Sequence, residues 1–334
     1  MSNQSSTFEQ AYQGEPAVWL RYGDLEAAVL PSVGANLIAY RDHGNGYRFL
    51  REPEEQEMDA FRASPGVNGI PVLFPPNRYE DGTFTWNGRT YTFPINEPET
   101  NNHLHGFLHT IVWDVDFHEA NDQESRVGLS VSIDESHPVY SYWPHSFTAK
   151  LVYTLSANGL QQQISIQNHG NDPMPMMLAF HTALNAPFAP DSSADDITFH
   201  ANIGQRREMT ERMLPTGGFQ PLSAWEQQLK EEGANPYGEE MDNHYTAEPR
   251  NGRNIAEIVD HRLGVKLVYD VGTGYKHWMI WNCKASGSFL CPEPQTNLVN
   301  APNVDLPDEE KGFISLKQGE IWEETSRLYV VKSL

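Results

Sequence analysis

Apolar and polar residues alternate along LVYTLSANGLQQQISIQN (151–168), and a period of two commits such a stretch to strand rather than helix. Leu151, Tyr153 and Leu155 share a face before Asn158-Gly159, and Ile164 and Ile166 continue the alternation after it. The pattern recurs in TFTWNGRTYTF (83–93), where Phe84 and Trp86 precede Asn87-Gly88 and Tyr91 and Phe93 follow. Asn-Gly tolerates the positive φ of a tight two-residue turn, so both stretches are expected to form hairpins. Further period-two runs stand at 126–134 (RVGLSVSID), 265–271 (VKLVYDV) and 320–331 (EIWEETSRLYVV). Helix signals are few: Ser223 can cap AWEQQLKEE, Glu226 stands three residues on as a capping-box partner, and Gly233 ends the run. That helix reads as an insertion, not a scaffold. No repeat of roughly 20 to 50 residues is evident, and the tract NAPFAPDSSADD (185–196) is too short for an interdomain linker. Many strands joined by turns predict an all-β fold class: one large antiparallel β-sandwich with few short helices, a single domain over residues 1–334.

Length alone would allow two domains, but β-sandwiches run well past the usual domain size as one unit. Hydrophobic residues at 39% and charged residues at 20% are the balance of a soluble globular protein. A net charge of −22 repels nucleic-acid backbones and anionic lipid, which argues against nucleic acid or membrane as a partner. The stretch MSNQSSTFEQAYQGEP has neither the basic nor the apolar segment of a signal peptide, and no run approaches the roughly 18 apolar residues of a membrane span. A cytoplasmic protein, monomer or homodimer, is the expectation. Cys283 and Cys291 lack C-x-x-C spacing and read as two reduced, packed thiols.

Chemistry-bearing residues are scattered. NNHLHGFLHTIVW (101–113) holds His103, His105 and His109. On a strand, H-x-H puts His103 and His105 on one face, a spacing that can chelate a transition metal. Such a site needs a nearby carboxylate, and none lies between His105 and Asp114, so no metal is expected. The plain alternative is a set of hydrogen-bonded core or rim histidines. Upstream, Asn77 and Arg78 precede the 83–93 hairpin; Arg78 can pair there with Glu80 or Asp81, or offer a planar donor fork. Downstream, His181 ends the apolar run MMLAF, where a satisfied core histidine is the alternative. Asp242 follows Glu239 and Glu240, which could make it part of a solvated acidic loop. Glu293 stands between Pro292 and Pro294, which restrict the backbone on both sides and fix the direction of its carboxylate. Its neighbours Phe289 and Leu290 are expected to desolvate it and raise its pKa.

The order Asn-Arg, Leu-His-Gly with a Trp soon after, Phe-His near an Asn, Asp-x-His and Glu-Pro-Gln resembles the aldose 1-epimerase (galactose mutarotase) family. The likeness runs from AAVLPSVGANLIAY (27–40) to SLKQGEIWEET (315–325). It implies a β-supersandwich and interconversion of the α and β anomers of a free sugar, a small-molecule substrate, without a cofactor. It further implies Glu293 as general base, His181 as general acid, His105 as a second imidazole at the ring oxygen, and Asn77, Arg78 and Asp242 as sugar-binding groups. Two positions depart from the family pattern: Phe107 follows Gly106 where a second Gly is frequent, and AFHTALN (179–185) lacks the usual Tyr-Phe-Asn.

These residue types suit the reaction. Mutarotation needs one proton removed from the anomeric hydroxyl while another reaches the ring oxygen, and a carboxylate with an imidazole can do both. His103 and His109 are assigned no catalytic role: one lines or supports the pocket and the other packs. Trp113, Trp143, Trp278 and Trp281 are mostly core, with one available to face the sugar. The competing readings are a hexose-6-phosphate epimerase using Arg206 and Arg207, a non-catalytic carbohydrate-binding protein, and a metal-dependent cupin-like enzyme.

Overall fold

The computed structural model describes residues 5–332, so the first four residues of the amino-terminal stretch lie outside it. Three antiparallel sheets dominate these residues. The first is a five-stranded meander of Ser5–Glu9, Val18–Tyr22, Leu25–Leu30, Asn36–Asp42 and Tyr47–Arg48. The second has eight strands in the order Asp114–Ala120, Glu124–Ile133, Phe147–Ser156, Gly159–Asn168, Ile321–Lys332, Val265–Asp270, Ile255–Asp260 and Ile197–Ala201. The third is ordered Pro215–Gln220, Ile203–Met209, Asp242–Ala247, His277–Trp281, Phe289–Gln295, Ala179–Phe180 and Val72–Leu73, with Leu184–Asn185 also paired to Phe289–Gln295. The all-β antiparallel fold is as expected from the alternation.

Most of the period-two runs belong to the second sheet, which has one face on the core and one toward solvent, the situation that imposes clean alternation. In Phe147–Ser156 the side chains of Phe147, Ala149, Leu151, Tyr153 and Leu155 are all buried, and the residues between them are not. The 83–93 hairpin closes on Asn87 (φ 50°) and Gly88 (φ 75°), with Phe84 opposite Tyr91. At 151–168 the turn falls one residue earlier than expected. Ser156 pairs with Gly159, so Ala157 and Asn158 form the loop, and only Gly159 has positive φ (88°). Glycine is required there twice over, because a Cβ would come within 2.7 Å of the Leu328 carbonyl on the adjacent strand.

The helix is Ala224–Glu231, capped by Ser223 and Glu226 as expected, with Gly233 just beyond it at φ 87°. It is more than an insertion. Glu226 is fully buried, and its Oε1 accepts hydrogen bonds from Arg206, Asn243 and the Tyr245 hydroxyl, tying the helix to strand Asp242–Ala247. Short helices at Met58–Ala63 and Asp308–Lys311 carried no clear sequence signal. Among the described residues no helix is long and apolar enough to cross a membrane.

The third sheet departs from simple pattern reading. Phe289–Gln295 is buried at every position, although a strand interior normally excludes proline. Its geometry removes the conflict. Gln295 turns its carbonyl to the Lys276 amide, just before the neighbouring strand His277–Trp281, so the backbone groups of the alternate positions, Pro292 and Pro294, face the opposite side. On that side the chain at His181 and Ala183 gives its amides to Pro71 and Gly69 instead, and the prolines have no N–H left unpaired. Trp113, Trp143 and Trp278 lie deep in the main core, whereas Trp281 is partly exposed.

Candidate active site

The gap beside the two prolines is where the site forms. Ala179 pairs with Gln295, so continuing that register by two residues brings His181 opposite Glu293. On the other side Glu293 pairs with Met279, and Met279 with His244. One row across the sheet therefore reads His181, Glu293, Met279, His244. By the two-residue period, Asp242, Trp281 and Cys291 share that face one row away.

A second crossing supplies the opposite wall. Arg78–Glu80 pairs with Asn102–Leu104, and just beyond the paired residues the His105 amide donates to the Asn77 carbonyl at 2.9 Å. Both chains turn at this point through left-handed conformations, Asn77 at φ 58° and His105 at φ 71°. Gly106 follows at φ 65°, pressed so closely on the backbone that a Cβ would stand 2.1 Å from the Phe74 carbonyl oxygen. The Leu-His-Gly motif is thus a steric requirement: only glycine lets the chain turn there and leave His105 facing inward.

All six residues singled out in the sequence, Asn77, Arg78, His105, His181, Asp242 and Glu293, line one cavity of about 220 Å³, joined by Val67, Met279 and Trp281. That is smaller than the roughly 300–1,000 Å³ of drug-sized sites and suits one small ring. Within it His181 Nε2 lies 3.2 Å from Glu293 Oε1, both side chains being almost wholly buried. The His105 ring stands edge-on to His181, centroids 5.2 Å apart, and Trp281 edge-on to it at 6.2 Å.

His103 and His105 do not share a strand face as H-x-H spacing would have it, because the chain leaves the strand at His105. His103 stacks on Phe93 and hydrogen-bonds the Pro94 carbonyl through Nδ1 at 2.8 Å. His109 lies buried behind His105, ring centroids 6.4 Å apart. Among the described residues no group of three or more His, Cys, Asp or Glu side chains is placed to hold a metal.

Arg78 pairs with neither Glu80 nor Asp81, which Arg212 holds at 3.0 and 2.7 Å. Its partner is Glu97, with Nε 3.0 Å from each carboxylate oxygen and Nη2 2.9 Å from Oε1. The Asp242 side chain has no hydrogen-bond or ion-pair partner among the described residues. Burial raises its pKa, Glu97 adds to the rise, and Arg78 opposes it.

Burial is also the main influence on the central pair. It pushes the Glu293 carboxyl well above its ordinary range, helped by Asp242 and opposed by Arg78 and by the Gln295 amide, which reaches Oε2 at 3.5 Å. It pushes His181 down to about 4 and His105 well below its ordinary value, His105 being further disfavoured as a cation by His181. The apolar groups in the cavity are Val67, Met279 and Trp281 rather than Phe289 and Leu290: Leu290 faces the other side of the sheet, and Phe289 packs on Trp281, centroids 5.5 Å apart.

Neither Arg206 nor Arg207 reaches the cavity. Arg206 is held by Glu226 at 3.2 Å and Asn243 at 2.8 Å. Arg207 is fully buried against Glu310 at 3.0 Å and lies over the Phe219 ring. Sequence reasoning missed Glu97, Met279 and Val67. Glu97 had a local signal, since Thr100 and Asn102 nearby are the residues that hold its carboxylate.

Residues 17–329 match the family model described as aldose 1-epimerase. The Escherichia coli (strain K12) protein YihR, itself described as uncharacterized, is 28% identical over 201 residues; the alignment spans 60% of this chain and 59% of that one. A crystal structure of a galactose mutarotase-like protein from Clostridium acetobutylicum superimposes with a TM-score of 0.94 at 31% identity, covering 98% of this chain and 99% of the other. The GalM/aldose epimerase homologue from C. elegans shares the fold, with a TM-score of 0.72 at 19% identity over 99% of this chain and 100% of its own.

Proposed function

The chain belongs to the aldose 1-epimerase family, and on that premise we propose that it interconverts the α and β anomers of a free aldohexose by acid–base ring opening and reclosure. The observation that carries this reading is the 3.2 Å contact between His181 Nε2 and Glu293 Oε1 inside a cavity that Arg78 and Asp242 also line. A pyranose entering there interposes its anomeric hydroxyl and ring oxygen between base and acid. Glu293 takes the O1 proton, the O1 electron pair forms the carbonyl, the C1–O5 bond breaks, and O5 receives the proton of His181. Rotation about C1–C2 presents the other face of the aldehyde, and closure returns both protons to where they began. No cofactor enters the balance.

The proton inventory follows from the burial. A neutral Glu293–His181 pair and a carboxylate–imidazolium pair hold the same number of protons, so they are two forms of one shared-proton state. Burial favours the neutral form in the free pocket, and proton transfer from Glu293 to His181 generates the reactive one. His105, kept neutral by burial, leaves His181 as the imidazole that carries the charge at the ring oxygen. Arg78 donates to sugar hydroxyls, the unpaired Asp242 carboxylate and Asn77 complete their hydrogen bonds, and Trp281 offers apolar surface to ring C–H groups.

The engagement of Arg206 by Glu226 and of Arg207 by Glu310 supports a free sugar over a phosphorylated one. The test is anomer exchange of glucose and galactose, followed by NMR or polarimetry. Wild type accelerates it, and Glu293→Gln lowers the rate on the order of 10³-fold, about 4 kcal/mol of barrier. An unchanged rate in Glu293→Gln refutes the assignment of the base. Sugar binding without exchange selects the carbohydrate-binding alternative, and exchange of phosphorylated sugars alone selects the hexose-6-phosphate epimerase.

A further inference from the structure

Two carboxylates compete for one guanidinium at the cavity wall. Glu97 takes the Nε and Nη2 edge of Arg78 at 2.9 to 3.0 Å, while Nη1 has no partner among the described residues. Asp242 and Glu293 both feel the Arg78 charge in the same cavity; Glu293 is engaged by His181, whereas the Asp242 side chain remains unpaired. A half-buried, unpaired carboxylate that shares a cavity with a free donor edge gains by closing on it. Glu97, which holds the other edge, is itself anchored.

Glu97 and Asn102 exchange both backbone hydrogen bonds, each 3.1 Å, closing the turn between them. The Thr100 hydroxyl and the Asn102 amide donate to Glu97 Oε2, the latter at 3.2 Å. The turn is pinned in its turn by Arg212, which donates from Nε to the Thr100 carbonyl at 2.8 Å and accepts the Asn102 amide at its own carbonyl at 2.9 Å. Glu97 is therefore held from three sides before it meets Arg78.

We propose that Glu97 is a positioning residue: it fixes the Arg78 fork with one edge toward the cavity and keeps Asp242 unpaired, so that both remain available to sugar hydroxyls. This rests on the reading of the cavity as a sugar site. Neutralising Glu97 frees Arg78 to close on Asp242, which withdraws a donor and an acceptor from the substrate together. Glu97 touches neither Glu293 nor His181, so the loss falls on substrate binding and leaves the proton transfers in place.

The experiment measures KM and kcat for anomer exchange in wild type, Glu97→Gln, Asp242→Asn and the double variant, with thermal midpoints as a check on folding. Glu97→Gln is expected to raise KM about tenfold, the scale of one charge-assisted hydrogen bond, with kcat within about threefold. Asp242→Asn raises KM by a similar factor in wild type but by less than about twofold in the Glu97→Gln background, where Asp242 is already engaged. Thr100→Val, which removes the hydroxyl that donates to Glu97 and accepts from the Asn102 amide, leaves the Glu97 carboxylate in place, gives a smaller rise of the same kind and serves if Glu97→Gln does not fold. An unchanged KM, a fall in kcat alone, or effects of the two substitutions that multiply would overturn the proposal. Should wild type show no exchange, the functional reading fails, and the dissociation constant of glucose in the same variants still decides the role of Glu97.

Discussion

Gly106 and Gly88 have nearly the same backbone, φ 65° and 75°, but very different surroundings, and replacing each with alanine separates backbone strain from steric exclusion. At Gly88 an added Cβ meets nothing within 4 Å. The cost is that of a left-handed alanine, about 1 kcal/mol. At Gly106 the same Cβ would lie 2.1 Å from the Phe74 oxygen, 2.3 Å from its carbon and 2.5 Å from the Pro75 nitrogen. These are backbone atoms and cannot swing aside. The segments 74–77 and 104–107 must separate, adding about 1–3 kcal/mol of overpacking to the same strain. Unfolding entropy of roughly 2.1 cal/mol/K per residue implies about 1.4 °C of midpoint per kcal/mol for a chain of this length. Gly88→Ala should thus lose one or two degrees, and Gly106→Ala roughly three to six. Calorimetry checks both. Activity should separate them further, because the displaced segments carry Asn77 and His105. A misplacement on the order of 1 Å costs about 10²-fold in rate, so exchange falls by that order in Gly106→Ala and not at all in Gly88→Ala. Equal losses in the two variants would refute the steric origin of the motif.

Three further outcomes follow from the same structure. Glu293 and His181 titrate as a pair, and with Glu293 raised and His181 lowered to about 4, the one-proton state begins near pH 4 and extends above the ordinary carboxyl range. The pH–rate profile should be bell-shaped with its acid limb near 4; an acid limb at about 6.5 contradicts it. His109 and His145, both held to about 4 by burial, bind protons in the unfolded chain before the folded one. Their contribution to stability is fully present above about 6.5 and is lost as pH falls toward 4, up to about 3 kcal/mol each, so the thermal midpoint should drop over that window and a flat profile refutes it. Finally, Glu226→Ala strands Arg206, Asn243 and Tyr245 and should cost about 3–5 kcal/mol, against about 1 kcal/mol for Ser223→Ala, which removes the cap and an exposed hydrogen bond to Glu239; denaturant unfolding showing equal losses would contradict a structural role for the helix.

What could be read from the sequence follows burial. Strands such as Phe147–Ser156, with one wet face, declare themselves by alternation; Phe289–Gln295 is buried on both faces and shows none, and its two prolines are tolerable only beside the break at His181–Ala183. The lining of the candidate cavity was legible through motif order, and at two of its positions the backbone explains the residue: a left-handed turn favours Asn77, and the close approach to Phe74 requires Gly106. Glu97 was missed despite the nearby Thr100 and Asn102 that hold its carboxylate, since its partner Arg78 lies 19 residues away and the pairing arises only when the turn is closed on Asn102. The immediate neighbours of Arg78 looked like its partners in sequence, but strand geometry gives Glu80 and Asp81 to Arg212.

The central claim is that Glu293 and His181 act as one unit across a single sugar ring, and a double-mutant cycle in anomer exchange tests it most directly. If they act together, Glu293→Gln with His181→Asn is no slower than the slower single variant, because either loss already disables the coupled transfer. Rate losses that multiply would mean that the two residues work independently, and a proton shared between them could not be the basis of the reaction.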